Sequence, residues 1–572
     1  MSNKEIASLF SKIALYLEIE SVPFKPQAYE RAAEALESFP EDVAKVYERG
    51  GRRELEQISG VGKSIAEKIE EYIQTGKVEE YERLRKKTPV DIEELTRVEG
   101  MGPKMVGVLY RHLHVKTLAD LEAAARKGKI RTLPRFGAKK EQNILEGIDF
   151  VKKSKGRWLL GTMYPYAEDL VGKIRNSSLA TEAVVAGSIR RMKETTGDVD
   201  ILVATKKPEK LVEYFLSLVP HEKIWGRGAT KVSVRAKEGF DIDMRVLPEE
   251  VFGSGLQYFT GSKEHNVRLR TYAAGKGYKL SEYGLFRGKK RVACKTEHDI
   301  YEALGMAYIE PELREDWGEI EAALQGKLPK VIPYGSLKGD LQIQTDWTDG
   351  KDSIETMARE AKRQGLEYIA ITDHTRDVAM VGGLDEKKLL LQMKEIDRVQ
   401  KKVSEVKILK GAEVNIRKDG TLDIADEALA KLDVVGISVH YNLKMLKGDM
   451  TNRIVKAMQN PNADILFHPT GRLVLERDEY EVDMEKLIRA ALETGTVLEI
   501  NASKRHDLKD TYIKKAKEAG CLFAIDSDSH AKDQISFLKY GVAQARRGWV
   551  EKSDVINVWP LAKMRLMLKD TQ

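Results

Sequence analysis

The sequence contains very little cysteine for its length: two residues, Cys294 and Cys521, in a chain of 572. Two thiols cannot build a disulfide framework or a zinc finger, which indicates a reducing, cytoplasmic compartment. Long apolar runs and a signal-peptide pattern are also missing, so we expect no membrane attachment. Aromatic residues make up only 7% of the chain, and the net charge is only +6. These absences leave a water-soluble protein, and its length predicts several domains.

Positive charge is concentrated in two stretches. Residues 101–150 carry 10 basic against 5 acidic side chains, and residues 251–300 carry 10 against 4. Residues 1–100 are instead acidic, with 16 basic and 21 acidic side chains. Two basic stretches in a balanced chain are typical of a protein that binds a polyanion across defined surfaces.

Two short segments in the middle of the chain combine glycine, arginine and aspartate. Gly187-Ser-Ile-Arg-Arg191 follows an apolar run, and Gly197-Asp-Val-Asp-Ile201 begins the next one. Asp198 and Asp200 are two residues apart on a strand-like segment, so both point to one face. Asp243 lies in a second Asp-Ile-Asp run. Converging carboxylates repel each other unless cations lie between them, and oxygen ligands favour Mg²⁺ or Mn²⁺. The pattern predicts a two-metal nucleotidyl-transfer site.

These segments resemble the catalytic core of the family X DNA polymerases, the group that includes DNA polymerase beta. The matching residues are Gly187, Ser188, Arg191, Gly197, Asp198, Asp200 and Asp243. The resemblance implies that the three aspartates bind two divalent ions, that Ser188, Arg191 and Gly197 hold the β- and γ-phosphates, and that Gly187 belongs to the same substrate-binding turn. It also implies DNA-directed synthesis from deoxynucleoside triphosphates (dNTPs), by attack of a primer 3′-hydroxyl on the α-phosphate.

The resemblance continues into a segment that would select the nucleotide. Tyr258-Phe-Thr-Gly-Ser262 is similar to the family's turn that crowds the 2′ position of the sugar. The residues implied to contact the dNTP or the template are Tyr258, Phe259, Gly261, Asn266 and Arg270. Lys263 departs from the pattern, since the beta enzyme has an acid there. The polar set implied to couple closure to the active site consists of Arg245, Glu282 and Tyr283.

Glycine turns recur between helical stretches in the first 150 residues. Gly-Lys-Ser at 62–64 resembles the end of a Walker A loop, but Gln57 replaces the required first glycine and no strand precedes it. A helix-hairpin-helix turn fits better, because its exposed backbone N–H groups bind a DNA phosphate without reading sequence. The motif occurs at 58–65, at 98–103 and more loosely at 133–138. The predicted DNA contacts are Gly60, Gly62, Lys63, Gly100, Gly102 and Lys104.

The segment Gln27-Ala-Tyr-Glu-Arg-Ala-Ala33 resembles the small lyase domain of the same family. It adds Tyr29 to the predicted DNA-binding residues. Lys68 falls on the lysine that would form a Schiff base with an abasic 5′ end, as a 5′-deoxyribose-phosphate lyase requires. Alternatively, Lys68 is a surface lysine paired with nearby acids such as Glu67 and Glu71, which would hinder attack.

Beyond a proline-containing segment at 327–337, seven apolar runs alternate with helix-like stretches, and each run ends on a polar residue. This rhythm predicts an α/β barrel with a site at one mouth. Four of the ten histidines lie at the run ends together with acids; the cluster is His374, Glu413, His440, His468, Asp528 and His530. Imidazole with carboxylate favours Zn²⁺, Mn²⁺ or Fe²⁺.

This half resembles the polymerase and histidinol phosphatase (PHP) domain, which hydrolyses phosphoesters with up to three metal ions. The implied ligands are Asp349, His374 and His530 for one ion, and Glu413, His440 and His468 for another. The family begins with His-x-His, and this chain has Gln342 and Gln344 in those places.

The third ion would rest on Glu413, Asp528 and the amide oxygens of Gln342 and Gln344. Amide oxygens are weaker donors than imidazole for such metals. We therefore expect a crippled or empty site and weak, altered or absent 3′–5′ exonuclease or phosphoesterase activity. A harder ion held by the two glutamines is the alternative.

Together these patterns predict a modular polymerase for DNA repair, of the base excision type, that fills short gaps. The expected fold is multi-domain, with all-α helix-hairpin-helix modules, an α+β nucleotidyltransferase palm and a distorted (β/α)7 barrel. The expected domains are a lyase-like DNA-end module (1–90), a helix-hairpin-helix subdomain (91–150), the palm (151–250), a nucleotide-selecting subdomain (251–326), a linker (327–337) and the PHP barrel (338–572).

We expect gapped or primed DNA and dNTPs as partners, a monomeric chain, and further contacts with other repair proteins. Two alternative functions remain open at this point. One is an enzyme that is mainly an exonuclease or phosphoesterase, and the other is a non-catalytic scaffold for DNA ends.

Overall fold

The computed structural model describes residues 3–568, except 21, 40, 59, 99, 100, 135 and 155. The chain divides into two compact units, 1–155 and 156–572. Among the described residues, none of the helices combines the length and the apolar content needed to cross a lipid bilayer.

The first unit is helical, as its periodicity predicts, and its described residues form no strand. Its helices are α1 (Asn3–Ile19), α2 (Lys25–Ser38), α3 (Val43–Gly50), α4 (Arg52–Leu55), α5 (Lys63–Thr75), α6 (Glu79–Lys87), α7 (Ile92–Thr96), α8 (Pro103–Leu113), α9 (Leu118–Arg126) and α10 (Ala138–Ser154). An apolar cluster extends from Ile6 on α1 to Val151 on α10. Some helix starts have polar caps, such as the capping box of Thr117 and Asp120 on α9.

The second unit begins with the palm. Its elements are β1 (Trp158–Leu159), α11 (Leu160–Asn176), β2 (Glu182–Val185), α12 (Gly187–Arg190), β3 (Thr195–Thr196), β4 (Asp198–Ala204), α13 (Pro208–Leu218), β5 (His221–Arg227), β6 (Lys231–Ala236) and β7 (Asp241–Leu247). Five strands form a sheet in the order β2-β4-β7-β6-β5, in which only β4 and β7 run parallel. Alternating burial along β4 places Val199 and Ile201 in the core and the aspartates on the other face.

A smaller subdomain follows the palm. It contains α14 (Phe252–Thr260), α15 (Lys263–Gly275), β8 (Lys279–Ser281), β9 (Gly284–Arg287), β10 (Lys290–Ala293), α16 (Glu297–Ala303) and α17 (Glu319–Leu324). The three strands form an antiparallel sheet. Leu269, Leu285 and Ile300 belong to an apolar cluster of this subdomain.

The last part of the chain forms the predicted barrel. Its elements are β11 (Gly339–Ile343), α18 (Ile354–Arg363), β12 (Tyr368–Ile371), α19 (Glu386–Gln400), β13 (Lys407–Asn415), α20 (Asp426–Leu429), β14 (Val434–Ser438), α21 (Lys447–Met458), β15 (Ile465–Leu466), α22 (Met484–Thr494), β16 (Val497–Asn501), α23 (Asp510–Ala519), β17 (Phe523–Asp526), α24 (Leu538–Arg547) and α25 (Leu561–Arg565). The seven strands are parallel and in chain order, and a bridge between Ile343 and Ser529 nearly closes the sheet. The predicted distorted (β/α)7 barrel is therefore confirmed.

The segment 327–337 contains no helix or strand, but it is fixed on the barrel. Ile332 is fully buried, and its N–H donates a hydrogen bond to Val550 O at 2.9 Å. Val331 forms a bridge with Glu551. The segment is therefore a packed connection rather than a flexible linker.

The barrel and the palm share apolar packing at α24. Tyr540 and Ala543 of this helix belong to the same apolar cluster as Met163 and Ile201 of the palm. The ring of Tyr540 also meets that of Tyr164 edge-on, with 6.3 Å between the centroids. This contact places one end of a barrel helix against the polymerase core.

Candidate functional site

The parallel pairing of β4 with β7 brings the predicted catalytic acids to one face of the palm sheet. In the register of the two strands, Asp200 is opposite Asp243 and Asp198 is opposite Asp241. Registered neighbours on adjacent strands point the same way, so Asp198, Asp200 and Asp243 share a face. A carboxylate cluster of this kind is what a site for divalent cations requires.

Gly187 lies beside this cluster in a position that only glycine can occupy. Its φ is 59°, a left-handed conformation that costs other residues energy. A Cβ on Gly187 would also lie 2.0 Å from Asp200 Oδ2. The turn predicted to hold phosphates is therefore packed directly against a predicted catalytic acid.

The electrostatics of the palm site are dominated by negative charge. Burial, followed by the charges of Asp198 and Asp243, raises the pKa of Asp200 to about 7. Burial and then Asp243 also raise the pKa of Asp198. Among the described residues, the carboxylate oxygens of these three aspartates do not all lie within 4.8 Å of one another, whereas two groups in the barrel meet that distance.

Lys231 offsets part of this charge, because its Nζ lies 2.9 Å from Asp243 Oδ2. Lys231 is on β6, one strand away, and its registered partner is Arg245 rather than Asp243. The contact is therefore diagonal across two strands. No motif in the sequence points to it.

The turn predicted to bind phosphate, residues 187–191, is held by neighbouring side chains. Ser188 Oγ and Thr196 Oγ1 are 2.6 Å apart. Arg191 is only 9% exposed; its Nε donates to Glu315 Oε1 at 2.9 Å and its Nη1 donates to Thr260 O at 2.7 Å. Gly197 connects β3 to β4 at the start of the acidic strand. Arg191 thus links the turn to the nucleotide-selecting segment, and its role on the triphosphate stays a prediction.

The predicted nucleotide-selecting residues gather around two aromatic rings. Tyr258 and Phe259 meet edge-on with 5.2 Å between their centroids. The guanidinium of Arg245 lies 5.2 Å from the Phe259 ring, and that of Arg270 lies 6.0 Å from the Tyr258 ring. Asn266 Nδ2 donates to Tyr258 O at 2.6 Å, which ties α15 to the end of α14.

Gly261 allows the close turn between these helices. A Cβ there would lie 2.8 Å from Asn266 Oδ1. Glu282 and Tyr283, predicted to act with Arg245, lie in the turn between β8 and β9, where Tyr283 is exposed. The three residues predicted to couple closure to the active site therefore lie on two elements, Arg245 on β7 and the other two in this turn.

At the barrel mouth, the predicted metal ligands converge on the fully buried Glu413. His468 Nε2 is 2.7 Å and His440 Nε2 is 3.1 Å from Glu413 Oε1, and His374 Nδ1 is 3.5 Å from Oε2. Burial alone would raise the pKa of Glu413, but His374 and the other two histidines hold it well below its usual value. The ligand atoms of His374, Glu413 and His440 lie within 4.8 Å of one another.

A second group at the same mouth consists of Asp349, His374 and His530, whose ligand atoms also lie within 4.8 Å of one another. Burial would lower the pKa of His530, but hydrogen bonding to Asp349 and the charge of Asp528 raise it to about 9. A metal ion at this group would have to displace that proton, because only the neutral imidazole is a ligand.

Gln342 and Gln344 turn their amide nitrogens toward Glu413, while the buried Gln344 Oε1 has no hydrogen-bond partner. Both are fully buried, and their Nε2 groups donate to Glu413 Oε2 at 3.1 and 2.8 Å. Gln342 Oε1 accepts a hydrogen bond from Asn501 Nδ2 at 3.1 Å. An amide nitrogen facing a carboxylate is the favourable orientation when no metal ion is bound. The expectation of two amide-oxygen ligands stays a prediction.

Asp528, the other acid expected at that third site, is also engaged by protein donors. Asn501 Nδ2 and Arg505 Nε donate to its Oδ2 at 3.2 and 3.3 Å. The guanidinium of Arg505 thus supplies positive charge where a third cation would be expected. Sequence reasoning missed Arg505, since it lies on a loop far from any recognised ligand motif.

In the first unit, two of the predicted hairpins end as expected in a glycine followed by a helix. Gly62 caps the start of α5 and Gly102 caps that of α8, so the free N–H groups of both first turns are available to a phosphate. Lys63 and Lys104 are exposed beside them. Gly60 has a φ of 87°, as a tight turn needs. Gly100 lies outside the described residues.

The two residues predicted from the lyase-like segment have partners of their own. Lys68 Nζ donates to Glu71 Oε2 at 2.7 Å, in agreement with the alternative of a paired surface lysine. Tyr29 is only 4% exposed, and its hydroxyl donates to Glu80 Oε2 at 2.5 Å. This burial argues against a direct DNA contact by the Tyr29 ring.

Comparison with known proteins places these sites in one family. The matching family models are the helix-hairpin-helix domain (1–78), the SAM-like helix-hairpin-helix tandem (92–149), the DNA polymerase beta thumb (255–315) and the PHP domain (340–503). The DNA polymerase/3′-5′ exonuclease PolX of Bacillus subtilis (strain 168) is 34% identical over 575 residues, which cover 100% of both chains. The chain belongs to the family X DNA polymerases.

Other relatives match the two halves of this family X polymerase separately. DNA polymerase lambda of Arabidopsis thaliana is 26% identical over 348 residues, covering 54% of this chain and 62% of the relative. A probable phosphatase of Thermoanaerobacter sp. (strain X514) is 31% identical over 229 residues, covering 38% of this chain and 88% of the relative. The polymerase therefore binds DNA, is expected to use dNTPs, and belongs to families that work with divalent metal ions.

The residues present fit some of the metal positions that the PHP family implies and not others. The group around His374, Glu413 and His440 fits, because His440 Nε2 and His374 Nδ1 are buried without a hydrogen-bond partner. The group of Asp349, His374 and His530 has the same donor chemistry. At the position between Glu413 and Asp528, Gln344 Nε2 and Arg505 Nε donate to the two carboxylates, so an ion there would have to displace both donors.

Proposed function

We propose that this family X polymerase fills short gaps during DNA repair and that its barrel contributes weak hydrolysis or none. The pairing of Asp200 with Asp243 beside the Gly187 turn carries the polymerase assignment. It brings a cluster of carboxylates into close contact with the Gly187 turn, where a side chain at position 187 would collide with Asp200.

The palm residues fit a pair of hard divalent cations. Their donors are oxygens only, and the raised pKa of Asp200 marks an excess of buried negative charge. When bound, Mg²⁺ or Mn²⁺ would act as a Lewis acid at the attacking and leaving oxygens. Asp198 and Asp200 would hold both ions, and Asp243 would orient the side that faces the primer 3′-hydroxyl.

The phosphate-binding turn would hold the rest of the triphosphate. Ser188, Arg191 and Gly197 would contact the β- and γ-phosphates, because hydroxyl, guanidinium and backbone N–H donors match phosphate oxygens. Tyr258 and Phe259 would crowd the 2′ position of the sugar. Asn266 and Arg270 would face the base edge and the template strand.

The helix-hairpin-helix turns would hold the DNA on either side of a gap. Their exposed lysines and helix N-termini bind phosphates of any sequence, which suits a repair enzyme that meets gaps anywhere. Lyase chemistry at Lys68 is a weaker proposal, because the Lys68 ammonium group donates a hydrogen bond to Glu71 Oε2 and is stabilised in its protonated, non-nucleophilic form. Borohydride trapping of an abasic 5′ end on the wild type, but not on Lys68→Ala, would support it.

For the barrel, two ligand groups remain, and they are the reason to consider hydrolysis at all. Zn²⁺, Mn²⁺ or Fe²⁺ held by His374, Glu413, His440 and His468 would polarise a phosphoester. The relative from Bacillus subtilis is named as an exonuclease. In this chain the two glutamines and Arg505 close the third position, so degradation of a 3′-labelled strand should be slow or undetectable with Mn²⁺.

Incorporation of a single nucleotide tests the repair assignment. The substrates are a one-nucleotide gap with a 5′-phosphate, the same gap without it, and an open primer–template. We expect the first to be used best, through a lower apparent Kd for DNA. Equal use of all three substrates would contradict gap filling, while leaving polymerase activity intact.

A further inference from the structure

Two buried arginines of the barrel hold the palm loop that joins the phosphate-binding turn to the catalytic acids. Arg547 on α24 is 1% exposed, and Arg472 is 4% exposed. We propose that these two residues, the arginine clamp, position Arg191 for the triphosphate and make the barrel a working part of the nucleotide site. The proposal rests on the role proposed above for Arg191.

Arg547 contacts the loop and the acid that holds Arg191. Its Nη1 donates to Arg191 O at 2.9 Å and to Glu315 Oε1 at 3.0 Å. The same Glu315 oxygen accepts from Arg191 Nε at 2.9 Å. Nε and Nη2 of Arg547 donate to Asp510 Oδ2 at 2.9 and 2.6 Å. The guanidinium is therefore fixed to the barrel on one side and shares a carboxylate with Arg191 on the other.

Glu315 stays ionised in this arrangement. Burial would raise its pKa, but Arg547 and then Arg191 lower it to about 2. Lys193 Nζ also lies 3.6 Å from Glu315 Oε2, but Arg547 makes the largest charge contribution to this carboxylate, so its loss changes the balance that holds Arg191. A substitution in the barrel can therefore be transmitted to Arg191.

Arg472 holds the same loop three residues further on. Its Nη2 donates to Glu194 Oε2 at 2.6 Å, and its Nε donates to His506 O at 3.0 Å. The backbone of Glu194 accepts from Leu160 N at 3.0 Å. Barrel arginines thus bind the loop at residues 191 and 194, between Ser188 and Asp198.

Arg191 also connects the loop with the nucleotide-selecting turn, since its Nη1 donates to Thr260 O. A shift of Arg191 would therefore disturb the phosphate and the sugar contacts together. Misplacement of a positioning group by about 1 Å can cost about 100-fold in rate. The clamp should consequently be visible in nucleotide binding and not in DNA binding.

The test compares Arg547→Met with Arg546→Met in the full chain. Arg546 is the next residue on α24 and is 8% exposed, but it binds Glu312 and Ile332 O instead of the loop. We expect Arg547→Met to raise the KM for dNTP and the inhibition constant of inorganic pyrophosphate in parallel, each about 10- to 100-fold. Arg546→Met should lose similar thermal stability but keep both constants within about twofold. The Kd for gapped DNA should not change in either variant.

Equal nucleotide and pyrophosphate constants in the two variants would overturn the proposal. Arg191→Gln separates this outcome from failure of the proposed function. If Arg191→Gln raises both constants while Arg547→Met does not, the clamp is wrong and Arg191 keeps its role; if Arg191→Gln changes neither constant, the role of Arg191 itself is wrong. Should Arg547→Met fail to fold, the double variant Arg547→Met with Glu315→Gln removes both charges and should still raise the two constants.

Discussion

In the palm, three aspartates share a face with Lys231 as a paired cation, and the pKa of Asp200 is raised to about 7. In the barrel, Glu413 is surrounded by histidines and by two glutamine amides, and its pKa is held well below the usual value. The palm aspartates have few cationic or hydrogen-bonding partners, whereas Glu413 of the barrel is surrounded by histidines and amide groups.

We propose that this difference keeps the palm site open to metal ions and closes the third metal position of the barrel. A metal site needs carboxylates whose charge the protein itself does not balance. The bound cation then supplies the missing positive charge, and this favours binding. Replacing imidazole by an amide adds N–H donors that satisfy a carboxylate without a metal. The exchange of two histidines for Gln342 and Gln344 therefore removes two metal ligands and also places two amide groups beside Glu413.

The largest expected effect comes from reopening the barrel site. Gln342→His combined with Gln344→His removes the two donors from Glu413 and restores imidazole ligands. Loss of a supporting group costs about 10- to 100-fold in metal affinity, so two restored ligands should increase Mn²⁺ affinity by at least about 100-fold. Hydrolysis of a 3′-labelled strand should rise with it.

The control adds His440→Ala to the same double variant, which should return hydrolysis to the wild-type level. If the double variant binds Mn²⁺ no better than the wild type, the glutamines are not what closes the site. The comparison between palm and barrel would then lose its physical basis.

A pH profile sharpens the palm side of the comparison. Asp200 must lose its proton to bind a cation, so incorporation at low Mg²⁺ should fall about tenfold per pH unit below 7. The folded pKa is above the ordinary value of 3.8, so the fold holds the proton longer and this group lowers stability as pH rises from 3.8 to 7. Higher Mg²⁺ should move the kinetic midpoint to lower pH, because metal and proton compete. A midpoint independent of Mg²⁺ would contradict this.

A smaller effect is expected for Lys231→Met. The variant removes a cation from the palm acids, so Mn²⁺ should bind more tightly in a calorimetric titration. Lys231 has 40% of its side chain exposed, so solvent screens the interaction and the gain should be only about two- to fivefold. Lys223→Met is the matched control, because Lys223 lies over Trp225 instead of an acid. Weaker Mn²⁺ binding in Lys231→Met would mean that the lysine does not compete with the metal.

The palm site could be predicted from the sequence because its determinants are local. The spacing of Asp198 and Asp200 fixes their common face, and the glycine turn precedes them in the same segment. The barrel was predictable for a similar reason, since each apolar run marks a buried parallel strand whose end carries a polar group. Family resemblance then assigned the roles.

The remaining features depend on contacts between distant segments. Glu315 and Arg547 meet Arg191 only after the palm, the small subdomain and α24 have packed together. The sequence could show that Gln342 replaces a histidine but not which end of its amide faces Glu413. Likewise, Tyr29 matches a family segment, but its burial follows from the packing of α2 in the helical core.

The most direct measurement compares single-nucleotide incorporation by Asp200→Asn and by His440→Ala on the same gapped DNA with Mg²⁺. The account predicts a loss of at least about 1000-fold for Asp200→Asn, equivalent to about 4 kcal/mol of transition-state stabilisation, with no fall in thermal stability. It predicts incorporation within about twofold of the wild type for His440→Ala. Undiminished incorporation by Asp200→Asn would contradict the account.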